Sequence, residues 1–217
     1  MITTELSCID CAVNNCEQSD ATHPAFCPAS TFDLTSNPML QQQMAEEQNR
    51  RIIDAAAFSA HVGHRETLSH LEETVVFAQK FGAKRIGIAA CISLAAESRA
   101  AAKVFRAQGF DVVGAICKVG CITFGELDVE PDERGPEAVL CNPLYQAQLL
   151  NEAQTDLNVV IGLCTGHDAL FLKHANAPCT VLTAKDFKFD HCSIRALRPD
   201  DESGDFTHLI NDKVDWS

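Results

Sequence analysis

The sequence predicts an α/β fold: a mainly parallel sheet of at least four strands flanked by helices, with an N-terminal cysteine-rich metal-binding head. Three observations predict it. Short apolar runs without alternation, such as residues 159–163, suit strands buried on both faces. These runs alternate with longer stretches of helical composition, the pattern of β-α-β units. Residues 1–36 show neither pattern and carry four cysteines. The expected organisation is therefore a head at 1–36 and a helical segment plus α/β domain at 37–217.

The head reads Cys8-x2-Cys11-x4-Cys16-x10-Cys27-Pro28. A close pair such as Cys8 and Cys11 lets one loop present two sulfurs to one metal, and Cys16 and Cys27 can complete four. Tetrahedral sulfur suits zinc, and cysteine quartets also hold iron–sulfur clusters. Little here can bury a core, so the metal would supply the folding free energy. His23 lies between the last two cysteines as a substitute ligand or a solvated loop residue.

A helical segment follows. Ser36-Asn37-Pro38 is a cap with proline in the first turn, and helical composition runs to about His61 before Gly63. A second helix is expected from about Glu66 to Phe81, with Leu68, Leu71, Val75 and Ala78 three and four apart and Gly82 ending it. His61, His64 and His70 around this junction read as surface histidines.

Strands are expected at 85–90, 111–116, 159–163 and 180–184. Between them lie an alanine-rich helix at 93–108, an acidic loop at 122–137, a short helix at 142–151 and a helix after Asp168. Three of these strands run into a thiol: Cys91, Cys117 and Cys164. The fourth runs into Lys185-Asp186. Cys141 immediately precedes Asn142-Pro143, a helix cap and first-turn pair. Because ligands of parallel sheets bind beyond the carboxyl ends of the strands, Cys91, Cys117, Cys141 and Cys164 are the expected cofactor ligands. Cys179 immediately precedes a strand and belongs at the opposite end. Cys164 at a helix N-terminus has its thiolate favoured there, and His167, Asp168 and Lys185 are the candidate catalytic groups beside it.

Composition bounds the function. Of 217 residues, 46% are hydrophobic, enough for a large core. The net charge of −13 argues against nucleic acid or an anionic membrane as partner. The absence of a spanning apolar run or an export-type N-terminus predicts a cytoplasmic protein. Eleven cysteines, an odd number, in such a chain point to metal or redox chemistry rather than disulfides. No glycine-rich nucleotide fingerprint is present.

Several segments together resemble one family. They are Arg65-Glu66-Thr67 with Glu73-Thr74, Gly87-Ile88-Ala89 to Cys91, Cys117-Lys118-Val119-Gly120, and Cys141-Asn142-Pro143 with Gln146-Ala147 and Leu150-Asn151. To these add Gly162-Leu163-Cys164 with Gly166-His167-Asp168, and Lys185-Asp186. The resemblance, over roughly residues 8–192, is to a cysteine-rich family of unknown function in bacteria and archaea, often labelled metal-binding. It implies metal binding and little more. Cys121 stands where a small residue is expected, Phe187 where an arginine is, and Cys192-Ser193 where Asn-Pro is, which offers extra sulfur ligands.

Three readings follow in order. The first is a metal-binding protein, iron–sulfur in type, with zinc as the alternative metal especially in the head, acting on a small molecule or with a redox partner. The second is a metal-free cysteine enzyme with Cys164 as nucleophile and His167 as base. The third is a zinc-stapled binding module without catalysis.

Overall fold

A computed structural model of the chain describes residues 8–18, 22–30, 32–61 and 67–198. The chain divides into two compact units, Met1–Ile53 and Asp54–Ser217. In the first, short 3-10 turns at Cys8–Asp10, Pro28–Ser30 and Leu34–Ser36 lead to helix α1, Pro38–Ala45. Asn37 caps it by accepting from the Leu40 N–H, with Pro38 in the first turn as the sequence predicts.

The single helix expected up to His61 is two. Glu46 leaves the helical region (φ −56°, ψ 134°) and α2 restarts at Glu47–His61. Asn49 explains the break: its amide donates to the Gln43 carbonyl at 2.8 Å and to the Glu46 carboxylate at 3.0 Å, satisfying groups a continuous helix would use differently. The boundary between the two units falls inside α2.

In the second unit, α3 spans His70–Phe81. Its start lies later than expected because Ser69 and Glu72 form a reciprocal capping box, and Gly82 ends it in the left-handed conformation at φ 80°. The expected stop at Gly63, the expected start at Glu66, and His64 lie outside the described residues. Then come β1 (Arg85–Ala90), α4 (Ala95–Ala107), β2 (Asp111–Ile116), α5 (Pro143–Glu152), β3 (Leu157–Ile161), α6 (Thr165–His174) and β4 (Cys179–Thr183). The four strands form one sheet in the order β2-β1-β3-β4, and every pairing is parallel.

That order has a consequence. The chain moves from β1 outward to β2, then crosses β1 to begin β3 on its other side. Right-handed crossovers then place α4 on one face of the sheet and α5 and α6 on the other. The side chains agree: Ile88 and Val112 face α4, whereas Ala89, Cys91, Cys117 and Val160 pack with Ala147 and Leu150 of α5 and Phe171 of α6. Winding reverses between β1 and β3, and the carboxyl ends of those two strands border the crevice where such sheets bind ligands. Central β3 is buried along its whole length, Asn158 included. No described helix is long and apolar enough to cross a membrane.

Candidate functional site

The ladder carries Cys91 and Cys117 to the same height. Cys117 donates its backbone N–H to the Ala90 carbonyl at 2.8 Å, and Cys91 donates to the Ile161 carbonyl at 3.0 Å. Alternation turns both side chains toward α5, and their sulfurs stand 3.9 Å apart. Both are buried in the cluster around Phe171. Cys141, held at the start of α5 by the Asn142 N–H bonded to the Cys117 carbonyl at 2.7 Å, packs against the same cluster.

Cys164 arrives by a different route. Gly162 takes φ 62°, and a Cβ there would collide with the Leu94 side chain, so glycine is strongly favoured at this turn off β3. Cys164 is then the N-cap of α6 in extended conformation. Beyond β4, Lys185 reaches back over the crevice. Its ammonium lies 2.7 Å from the Cys91 sulfur and 3.5 Å from the Cys164 sulfur. The turn that follows holds it in place. The Asp186 N–H donates to His191 Nδ1 at 3.1 Å, the His191 N–H donates to the Asp186 carbonyl at 2.7 Å, and the Phe187 ring lies 5.0 Å from the Lys185 ammonium.

The electrostatics separate the two buried thiols. Burial opposes ionisation of Cys91, but hydrogen bonds from Lys185 and Ser93 outweigh it and bring the thiol down from 9.0 to about 7. Cys117 has no cation of its own; burial and the neighbouring thiols Cys141 and Cys91 push it up to about 12. Lys185, although burial works against its charge, is raised by its bond to Cys91. His167 is pushed down by burial, with Lys118 and Lys185 acting in the same direction against Asp168. The site therefore pairs one thiolate-prone sulfur with one that stays protonated. Replacing Lys185 with methionine is expected to return the Cys91 thiol to 9.0 or above, since burial then acts with less opposition. The pH dependence of the thiolate absorbance that Cys91→Ala removes checks this, and an unmoved midpoint would contradict the account. Because the folded value is depressed, the Cys91–Lys185 contribution to stability is in place above pH 9.0 and lost as the pH falls through about 7.

The sequence places Cys91, Cys117, Cys141, Cys164 and Lys185 at one end of the sheet. The structure sets Cys117 beside Cys91 and Lys185 against Cys91 and Cys164, but among the described residues no three His, Cys, Asp or Glu side chains, at the sheet end or in the head, are placed to hold a metal ion. His167 and Asp168 lie in the first turn of α6. His167 meets Cys164 through backbone, its N–H donating to the Cys164 carbonyl at 2.8 Å, and Asp168 accepts from the Ala169 N–H at 2.7 Å. Cys179 stands at the amino end of β4, donating to the Ala177 carbonyl, as expected. Cys121 and Cys192 are exposed. In the head, Cys8 and Cys11 close one turn (Cys11 N–H to Cys8 carbonyl, 3.3 Å) and Cys27 is buried. The predicted quartet is not assembled. His23 Nδ1 is buried there without a hydrogen-bond partner among the described residues.

Two residues around the thiols carry contacts that the sequence does not announce, Gln146 standing there only as part of the family resemblance. Ser93, in the turn after β1, donates to the Cys91 sulfur at 3.2 Å. Gln146, fully buried in α5, donates its amide to the Ala90 carbonyl at 3.2 Å and the Ala115 carbonyl at 2.7 Å, tying β1 to β2 just below the thiols. A polar residue on the sheet-facing side of an otherwise apolar helix face was the available signal for Gln146.

Residues 27–182 match the family described as protein of unknown function DUF1847. An uncharacterised protein of Methanocaldococcus jannaschii, MJ0455, is 35% identical over 156 residues, covering 72% of this chain and 80% of that protein. No solved structure matches significantly. The family match takes in Cys91, Cys117, Cys141 and Cys164 but stops short of Lys185, and it begins at Cys27, after the first three head cysteines. The chain belongs to the DUF1847 family.

Proposed function

We propose that the carboxyl end of the sheet is a soft-metal centre in which Cys91 and Cys117 ligate one ion and Cys141 and Cys164 complete the sulfur set. The observation that carries this reading is the 3.9 Å separation of the first two sulfurs. Two sulfurs each ~2.3 Å from one tetrahedral ion stand about 3.8 Å apart. That spacing favours two thiols on one ion, as in a zinc site or a two-iron cluster, over a four-iron cube whose irons take one cysteine each. The donor set is all sulfur, which selects zinc or iron–sulfur over hard cations.

Buried thiolates need a positive charge nearby. Lys185 supplies it between Cys91 and Cys164, and a bound metal would take over that role while Cys141 and Cys164 turn inward. When bound, an iron–sulfur group would supply one-electron chemistry and zinc Lewis acidity, toward a small molecule or a redox partner. His167, Asp168 and Lys185 border the crevice and would orient an anionic substrate or move its proton. The head cysteines Cys8, Cys11, Cys16 and Cys27 are not gathered as they stand and would have to close around a separate zinc on binding it, with His23 as the spare ligand. Protein purified without oxygen should contain metal and show sulfur-to-metal absorption. Protein that takes up neither zinc nor iron under reconstitution would end the reading.

A second reading has one observation in its favour. The 2.7 Å contact between Lys185 and Cys91 is the arrangement that activates a cysteine nucleophile without metal. In that enzyme Cys91 would attack, whereas the sequence pointed to Cys164 with His167 as base. Cys164 would sit opposite Cys91 across the same ammonium.

A further inference from the structure

On the face of the sheet opposite the thiols, a cleft of about 440 Å³ runs between α4 and the edge strand β2. Its existence follows from side-chain size. Ala95, Ser98 and Ala102 along α4 face Ile88 and Val112, and Gly114 at the middle of β2 contributes no side chain. Helix and edge strand therefore fail to close over one another. Glycine inside a strand weakens it and often marks a place where another backbone approaches.

The hydrogen bonding of β2 is equally specific. Odd-numbered residues of this strand bond to β1, as the flanking Asp111 N–H to Lys84 carbonyl (2.8 Å) and Cys117 N–H to Ala90 carbonyl (2.8 Å) bonds fix by alternation. Even-numbered residues thus turn their backbone groups outward. Arg106 donates to the Val112 carbonyl at 3.2 Å, and the Val119 N–H donates to the Ile116 carbonyl at 2.9 Å. Between these capped positions, Gly114 is exposed, and the same alternation turns its N–H and C=O outward. The opposite edge is treated differently, with His70 of α3 3.2 Å from the Val181 carbonyl of β4. Two guanidinium groups, Arg99 and Arg106, lie two turns apart on α4 along the cleft. In a chain of net charge −13 this is a local positive strip.

We propose that this groove binds an extended segment of a partner protein, added as a strand beside β2, with apolar side chains alternating into the cleft and a carboxylate meeting Arg99. Strand addition takes affinity from main-chain bonds and selectivity from alternate side chains. Here the Gly114 N–H and C=O give the main-chain pair, the alanine-lined floor takes the apolar residues, and charge selects an acidic strand. A second copy of this chain fits less well, because two-fold pairing through β2 brings the arginine strips of both copies to the same junction.

A short peptide of alternating valine and glutamate is the probe, with a valine–lysine peptide as control, titrated against the full-length protein. The glutamate peptide should bind and the lysine peptide should not. Arg99→Glu, an exposed change that leaves the fold intact, should weaken the glutamate peptide by about tenfold. Gly114→Pro removes the outward N–H, its ring meeting the Ile88 carbonyl of β1 closely, and should abolish binding; a urea midpoint and circular-dichroism spectrum matching the parent report that the variant folds. Binding of neither peptide would overturn the proposal. So would equal binding of both, binding unchanged by Arg99→Glu, Arg99-dependent binding of an apolar carboxylic acid in place of the peptide, or self-association abolished by Gly114→Pro.

Discussion

Replacing Cys91 with alanine is expected to abolish metal uptake at the proposed sheet-end centre. Loss of an outer-shell partner alone costs a metal site about 10–100-fold in affinity, and a lost sulfur ligand costs more. Cys91 is also the thiol whose ionisation Lys185 favours, so its removal takes away both a donor and the sulfur readiest to carry charge. Cys164→Ala should weaken binding less, so that the site empties at low metal concentration and refills at high, because Cys164 meets the closely spaced pair only through Lys185. Any metal held by Cys8, Cys11, Cys16 and Cys27 should persist in both variants. Metal-to-protein ratios after reconstitution without oxygen check this. Ratios equal to the parent protein in both variants, with cysteine alkylation lost in one of them, would move the account to the metal-free nucleophile.

Phe171→Ala is expected to destabilise the fold by about 3–5 kcal/mol, the cost of emptying a fully buried aromatic site. Phe171 is completely buried on the inner side of α6 and belongs to the cluster that contains Ala89, Cys91, Cys117 and Leu163. Against total stabilities of about 5–15 kcal/mol this is a large share. The same cavity would loosen the packing that keeps the two sulfurs side by side, so metal affinity should fall with stability. Urea denaturation measures it. A loss under about 1 kcal/mol would show that α6 is not seated on this core in solution.

What was legible in the sequence, and what was not, follows from the range of the interactions. Parallel strands buried on both faces appear as short β-branched runs, so β1 and β2 were readable to the residue and the thiols after them fell naturally at one end. Strand β3 is Leu157–Ile161 rather than 159–163: it takes in Asn158, a buried polar residue held by the Thr155 hydroxyl at 2.8 Å, and stops where Gly162 turns at φ 62°. Strand β4 likewise runs Cys179–Thr183, one residue earlier than expected. The break at Glu46 was not legible, because neither glycine nor proline marks it; a side-chain amide from Asn49 makes it. The Lys185–Cys91 contact joins residues 94 positions apart, and no local pattern announces such a meeting. Phe187, noted in the sequence only as a departure from an expected arginine, packs its ring against Lys185 and His191. The head carries cysteine spacing without apolar periodicity, so spacing alone supported the quartet there.

The central claim is that Cys91 and Cys117 share one ion. Crystals grown after reconstitution with zinc in the absence of oxygen, with diffraction recorded at the metal's absorption edge, test it directly. The account predicts an anomalous peak at the carboxyl ends of β1 and β2, ~2.3 Å from both sulfurs, with Lys185 displaced from Cys91. Metal confined to the head, with Lys185 still bonded to Cys91 and Cys164, would contradict it.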